Sequence, residues 1–384
     1  MKIALIRKEY RELQGGAERY AVALAHGLAG RGHRVHVFAG EWDADAHGPV
    51  SLHRVPFIRR PSPVKNFSFQ YNVGRYVQPG DFDIVNGLSQ VYPQDVYRAG
   101  DGIHRHWLKI QTPDPRKRLF RYVSPRHMVI LAIERRIFNP RNFRRIITNS
   151  LLCKKQIMYY FGVPDEKIQV VYNGVSSNRF NTDSRDRVRE AVRRRLGAGA
   201  GETVLLFAGH NFKRKGLQFA LQCALGLRER GHRVKLMAAG RGNPGPFMRI
   251  ARKRDFAGGL IFTGPVDRIR ELYCAADILV HPTMYDPFSN VCLEAMACGL
   301  PVITTRLNGA SEIIRHRDSG VVLEVPWDME AMVSETGLLL EDGPERLRLM
   351  GCRARGIARQ FSMEKNVSET LAVYEKVLQE KGGR

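Results

Sequence analysis

No run of 18 consecutive apolar residues occurs in the 384-residue chain, so no segment reads as a bilayer-crossing helix. The N-terminus, MKIALIRKEY, has an apolar core too short for a secretory signal peptide. Cys153, Cys223, Cys274, Cys292, Cys298 and Cys352 include no CxxC pair and no metal-ligand spacing, and read as reduced core thiols of a cytosolic protein. Negative charge is scarce as well: 38 Asp plus Glu face 61 Lys plus Arg, a formal net charge of +23. Such a field favours polyanions, either nucleic acid or an anionic membrane surface, and the protein is expected to be soluble or peripheral. The length exceeds one ordinary core and suits two domains of roughly 150 to 200 residues each. With 43% hydrophobic residues the chain has enough apolar material to bury both.

The densest chemistry lies in His281 to Thr305, HPTMYDPFSNVCLEAMACGLPVITT. AADILVHPT reads as a short buried strand ending at Pro282. After Asn290, residues Val291, Leu293, Met296 and Leu300 recur near helical spacing, and Gly299-Leu300-Pro301 stops that helix before the strand PVITT. A strand, a polar loop and a helix N-terminus in that order aim free backbone N–H groups at the crevice above the strand ends, where phosphate binds. Asp286 and Glu294 stand in this stretch with seven residues between them. The plain alternative makes Asp286 a carboxylate favoured by the helix dipole and Glu294 a solvated helical residue.

The stretch resembles the acidic-x7-Glu motif of family-4 retaining glycosyltransferases of the GT-B fold. By that resemblance Asp286 lies at the donor sugar, the loop amides of Phe288, Ser289 and Asn290 reach sugar and phosphate, and Glu294 holds the ribose hydroxyls. The first acidic position is usually Glu, and here it is the shorter Asp286.

From the N-terminus, KIALIR reads as a strand, a helical face follows with Val22, Leu24, Ala25 and Leu28, and RVHVFAG alternates as a second strand. Gly15 and Gly16 at the helix start permit a close backbone approach to a diphosphate or simply a tight turn. In the resembled family a Gly-Gly loop at this place faces the donor phosphates, which implicates Gly16. Further strands are FDIVNGLS, RRIITNS and KIQVVYNGV, with a helix around FQYNVGRYV. Asp101, His104, His106 and Trp107 crowd into VYRAGDGIHRHWLKI; a lone histidine is more often structural, but the resemblance places an N-domain histidine beside the donor sugar. Both His104 and His106 remain candidates for it.

Residues 107–145 are the most basic part. Arg116, Lys117, Arg118 and Arg121 head a series of cations interleaved with Leu119, Phe120, Tyr122, Phe138 and Phe143. The mixture suits a segment lying on anionic headgroups, and also RNA or a solvated helix whose basic stems cover apolar surface. No nucleic-acid recognition motif accompanies it, so no nucleic-acid partner is expected.

Asn173-Gly174-Val175 and a polar stretch after it resemble the family's hinge side. Strands TVLLFAG, RVKLMAAG, GLIFTGPV and GVVLE, with intervening helices, complete a second α/β domain. In GHNFKRKG the cations Lys213, Arg214 and Lys215 stand at a strand-to-helix turn, where they suit a diphosphate or form a plain solvated charge run; by resemblance Arg214 and Lys215 grip the departing diphosphate. Gly240, Arg241 and Val266 are implicated more loosely, near the nucleobase.

The expected architecture is α/β: two Rossmann-like doubly wound domains facing across a cleft, residues 1–180 for the acceptor and 181–362 for the donor, with helix 363–384 packing back on the first. The resemblance implies retaining, metal-independent transfer of a hexose to a lipid-linked acceptor, with UDP-glucose as donor co-substrate and no cofactor. Within the family the chain looks most like lipopolysaccharide core glucosyltransferases acting on a heptose, cytoplasmic and peripheral to the inner membrane. Alternatives are a GDP-mannose-dependent hexosyltransferase, a sugar-nucleotide epimerase, or a non-enzymatic basic scaffold binding membrane or nucleic acid.

Overall fold

The structure is a computed structural model that describes residues 1–11, 15–43, 48–183, 185–199 and 201–382. The chain divides into two units, Met1–Gly174 with Met363–Arg384, and Val175–Ser362.

The first unit contains β1 (Lys2–Tyr10), α1 (Gly16–Ala29), β2 (Arg34–Trp42), β3 (Ser51–Arg54), α2 (Ser62–Tyr76), β4 (Ile84–Gly87), β5 (Val96–Ala99), α3 (His104–Gln111), α4 (Pro115–Tyr122), α5 (Pro125–Ile137), β6 (Arg145–Thr148), α6 (Leu151–Phe161) and β7 (Ile168–Val170). Its sheet has the order β3-β2-β1-β4-β5-β6-β7, every pairing parallel. Strands covered on both faces need apolar residues at successive positions. β1 meets this with Ile3, Ala4, Leu5 and Ile6, all at most 1% exposed. Two strands are additional to those read from the sequence: β3 is short and polar at the sheet edge, and β5 carries the buried Arg98.

The second unit contains α7 (Arg185–Arg195), β8 (Thr203–Ala208), α8 (Phe212–Lys215), α9 (Leu217–Glu229), β9 (Val234–Ala239), α10 (Gly245–Lys253), β10 (Leu260–Gly264), α11 (Ile269–Ala275), β11 (Ile278–His281), α12 (Asn290–Ala297), β12 (Val302–Thr305), β13 (Gly320–Leu323), α13 (Met329–Glu341) and α14 (Gly343–Ala358). Its parallel sheet runs β10-β9-β8-β11-β12-β13, and all six strands lie in the stretches read as strands from the sequence. Leu205, Phe207, Leu221, Leu236, Val280 and Met332 sit in one buried core in which α9 and α13 cover the sheet.

The last helix, α15 (Met363–Gly382), belongs to the first unit. Its Val367, Leu371, Tyr374 and Val377 join the core beneath α1. The join is also polar: Asn86 Nδ2 donates to Tyr374 Oη at 2.5 Å, Asn366 Nδ2 to the Tyr172 carbonyl at 2.6 Å, and Lys381 pairs with Asp95 at 2.8 Å.

Candidate active site

In the second unit the chain leaves β8 for β9 and β10 on one side and returns at β11 on the other. Open α/β sheets bind ligands outside the carboxyl ends of the strands at such a reversal. Both loops that leave these strands carry the sequence candidates. After β8, Gly209-His210-Asn211 leads into the single turn α8 with Arg214 and Lys215; after β11, Pro282 to Ser289 leads through Asp286 into α12.

The two loops are fastened to each other. Gly216 has φ +85°, and a Cβ there would lie 1.9 Å from the Pro282 carbonyl oxygen, so only glycine permits this approach. The Arg214 carbonyl accepts from the Met284 amide at 3.0 Å and the Thr283 hydroxyl at 3.2 Å. These contacts set the Lys215 ammonium on the Asp286 carboxylate as a direct ion pair, with side chains only 14% and 9% exposed. Burial alone would raise the Asp286 pKa; the charge and hydrogen bond of Lys215 outweigh it and hold the carboxyl below its usual range. The neighbouring Arg214 has its Nε buried with no hydrogen-bond partner among the described residues. A buried guanidinium nitrogen left this way favours an incoming anion.

Two residues without an assigned role in the sequence reading, His281 and Asn308, shape the loop before α12. His281 is fully buried, and its Nε2 lies 2.9 Å from the Ser289 hydroxyl. Burial, then the Lys215 charge, pushes its pKa down to about 3, so the ring is neutral. Ser289 occupies the N-cap position of α12, yet its side chain makes no capping bond. Its hydroxyl is turned to His281 instead, so the side chain does not close the first-turn amides. Asn308, also fully buried, accepts from the Ser289 and Ala310 amides, both at 3.1 Å, and donates to Thr304 Oγ1 at 3.0 Å. Tyr273 donates its hydroxyl to Glu294 Oε2 at 2.9 Å.

Glu294 is 6% exposed, so it is not the solvated helical residue of the plain alternative, and Asp286 is buried as well at 7%. Phe288 is buried at 5%, which leaves its backbone rather than its ring to meet a ligand, and Asn290 opens α12. The Arg241 side chain is exposed beyond β9, while its backbone bonds to the β8 loop. Arg214, Lys215, Asp286, Ser289 and Glu294 thus supply two cations, a helix N-terminus and two carboxylates around one strand reversal. Chemically, that set can bind a phosphorylated polyol and stabilise negative charge that grows on its phosphate. Among the described residues no group of three or more His, Cys, Asp or Glu side chains could hold a metal ion.

The first unit holds the remaining candidates. Gly16 begins α1, and Glu18 in its first turn accepts from Arg7 Nη2 at 2.8 Å. Arg7 Nη1 also lies 3.6 Å from Asp101, so the α1 turn and the loop after β5 share one buried cation. His104 and His106 sit on α3 with different partners: His104 Nε2 is 3.0 Å from His127 Nδ1, and His106 Nδ1 is 3.1 Å from Tyr160 Oη. Burial foremost pushes both pKa values down to about 4. Glu134 on α5 accepts from the His104 and Arg105 amides at 2.6 and 3.2 Å, tethering the start of α3. Burial outweighs those bonds and raises its pKa to about 7.

Arg116, Lys117, Arg118 and Arg121 lie on α4, a helix capped by Asp114 that buries none of its residues. Leu119, Phe120, Val123 and Met128 on this helix and beside it are 64, 77, 61 and 54% exposed.

Comparison with known proteins places this geometry in a wider group. Residues 14–179 match the family described as Glycosyltransferase Family 4, and residues 202–342 match that described as Glycosyl transferases group 1. The lipopolysaccharide glucosyltransferase WaaG of Escherichia coli is 26% identical over 337 residues, covering 87% of this chain and 88% of WaaG. A crystal structure of WaaG, a glycosyltransferase involved in lipopolysaccharide biosynthesis, superimposes with a TM-score of 0.83 at 24% identity, covering 97% of this chain and 99% of that one. The Anabaena protein HepE, solved with UDP-glucose, superimposes with a TM-score of 0.72 at 20% identity over 97% of this chain and 100% of its own.

Proposed function

Since the chain belongs to the family-4 glycosyltransferases of GT-B fold, near the lipopolysaccharide core enzymes, we propose that it moves glucose from UDP-glucose, with retention, onto a hydroxyl of a lipid-linked saccharide such as a core heptose. The observation that carries this reading is the buried Lys215–Asp286 pair, with Arg214 Nε, unpartnered among the described residues, beside it at the strand reversal. Arg214 and Lys215 face the donor diphosphate, the α12 amides help hold it, and Glu294, oriented by Tyr273, takes the ribose hydroxyls. The anomeric carbon–oxygen bond breaks with its electron pair going to the diphosphate. The acceptor oxygen attacks from the same face, and its proton passes to the leaving phosphate oxygen. Cations held in a dry site supply the charge stabilisation, so the proposed reaction needs no metal. Asp286 keeps Lys215 in place and lies at the donor sugar, while Gly16, Asp101 and His104 are the first unit's proposed contributions to the reaction, as the family resemblance implies.

The acceptor is proposed to be membrane-borne, and the enzyme cytoplasmic and peripheral to the inner membrane. Support comes from α4, whose four cations accompany Leu119 and Phe120 at 64 and 77% exposure. No helix of the described residues is long and apolar enough to cross a membrane.

Mass-spectrometric screening of nucleotide sugars for binding and slow hydrolysis tests the proposal. Release of glucose and UDP from UDP-glucose is the expected result. Preference for GDP-mannose would replace the donor, interconversion of nucleotide sugars without release would indicate an epimerase, and binding of none would overturn an enzymatic role.

A further inference from the structure

The turn after β8 also carries His210, four residues before Arg214. His210 Nδ1 accepts the backbone amide of Arg241 at 3.1 Å, and the carbonyl of Arg241 accepts the Asn211 amide at 3.1 Å. The loop carrying Arg214 and Lys215 is therefore stitched to the loop after β9 by one side-chain bond and one backbone bond. The backbones meet closely beneath the stitch: Gly240 has φ +129°, and a Cβ there would lie 2.1 Å from the Gly209 carbonyl oxygen. The Gly240 amide is used by Gly264 and the Gly209 amide by Ala239, which fixes the strand ends but not the residues beyond them. Asn211 stands in the left-handed region at φ 59°, and its side chain accepts the Arg214 amide at 3.3 Å. The conformation of the cationic turn thus depends on how residues 210 and 211 are held.

We propose that His210 is a positioning residue for the donor site: as the neutral tautomer protonated on Nε2, it clamps the Arg241 amide and so holds the Arg214–Lys215 turn in its phosphate-gripping form. An amide donor requires an unprotonated Nδ1, which selects the tautomer. The bond is exposed, so it adds little to global stability. Its effect is local, keeping two loops ordered before the ligand arrives, which reduces the ordering cost of binding. The role in donor binding rests on the proposed function above; the clamp itself does not.

The test replaces His210 by Ala, Asn and Gln. Asn Oδ1 occupies nearly the place of Nδ1 and can accept the same amide, whereas Ala cannot and Gln places its acceptor farther out. Titration of UDP by calorimetry is expected to show affinity about tenfold weaker for His210→Ala, the scale of one lost hydrogen bond. His210→Asn is expected within about threefold of wild type, and His210→Gln near Ala. A melting temperature unchanged across the series shows that the loss is not unfolding. In the ligand-free wild type, the nitrogen-15 spectrum is expected to show Nδ1 unprotonated, with amide exchange at Arg241 slowed relative to the Ala variant. A protonated Nδ1 or unchanged exchange at Arg241 overturns the clamp. Equal UDP affinity for wild type and Ala, or an Asn variant as weak as Ala, overturns the positioning role. Should wild type bind no UDP while the spectrum and exchange behave as expected, the donor reading fails and the clamp stands without that role.

Discussion

Replacing Lys215 by Ala changes two quantities that the structure allows to be separated. The first is stability. Lys215 is the cation that holds Asp286 ionised at 7% exposure, and removing one member of a buried pair costs about 3 to 5 kcal/mol, because the other is left uncompensated. The loss is limited by the carboxyl's ability to take up a proton instead. The second is turnover. In the proposed reaction the diphosphate gains charge as the glycosidic bond breaks, so a cation facing it binds the transition state more tightly than the ground state. Loss of one such donor lowers turnover by roughly 100- to 1000-fold.

A double variant, Lys215→Met with Asp286→Asn, removes both charges at similar volume and so recovers most of the stability without restoring the cation. Steady-state kinetics of donor hydrolysis, with denaturation midpoints for each variant, read the two effects independently. The pH choice is safe. Asp286 has a folded pKa below its unfolded value, so the pair's contribution is present above the unfolded pKa, near 4, and is lost only as pH falls through the lower folded value. Assays at pH 7 to 8 therefore sit on the plateau. If Lys215→Ala raises only KM, the residue is a ground-state clamp. If the double variant regains turnover, the single variant's defect was structural. Either result refutes the assigned role.

Glu294→Gln is expected to weaken UDP by about tenfold, and Tyr273→Phe by a smaller factor through the same carboxylate, while Asp286→Asn mainly lowers sugar transfer; calorimetry with free UDP measures this, and unchanged affinity in Glu294→Gln removes the ribose role. Glu134 has a folded pKa near 7 against 4.5 when unfolded, so the folded chain keeps a proton that the unfolded chain releases. Stability is then expected to fall by roughly 3 kcal/mol as pH rises from about 4.5 to 7, and Glu134→Gln to flatten that slope in urea midpoints at pH 5 and 8. Replacing Arg116, Lys117, Arg118 and Arg121 by Ser is expected to reduce co-sedimentation with phosphatidylglycerol-rich vesicles, on the order of 1 kcal/mol per cation near the surface, and to spare hydrolysis of a soluble donor. Equal binding of wild type to neutral vesicles, or no loss in the quadruple variant, returns α4 to a solvated helix.

The second unit was legible strand by strand because its strands are buried on both faces and read as apolar runs bounded by glycine, as in TVLLFAG and RVKLMAAG. The first unit was less so. β5, VYRA, is fully buried but includes Arg98, whose guanidinium is held by Asn173 Oδ1 at 2.6 Å and by the Tyr20 ring, 3.8 Å from the centroid. A charged residue in a central strand contradicts the apolar pattern, and the partners that permit it come from distant parts of the chain. β3, SLHR, fails for the opposite reason: as an edge strand with exposed or half-buried residues, it needs little apolar content.

The site divides along the same physical line. Arg214, Lys215, Asp286 and Glu294, the residues proposed to meet the donor, could be singled out because their chemistry is carried in two short segments with a recognisable order. What the sequence conceals is which polar side chains fix those segments in place. Asn308 stands 22 positions beyond Asp286 and acts through four hydrogen bonds to atoms that only the fold assembles. His281 precedes the motif and looks like a strand-end histidine, and only its complete burial against Ser289 makes it a neutral brace. His210 lies inside a segment already singled out for its cations, yet its partner is a backbone amide at Arg241, and no side-chain pattern encodes a backbone partner. Residues that meet a ligand are constrained by the ligand's chemistry, which motifs capture. Residues that position them are constrained by local geometry, which can be satisfied from many places in the chain.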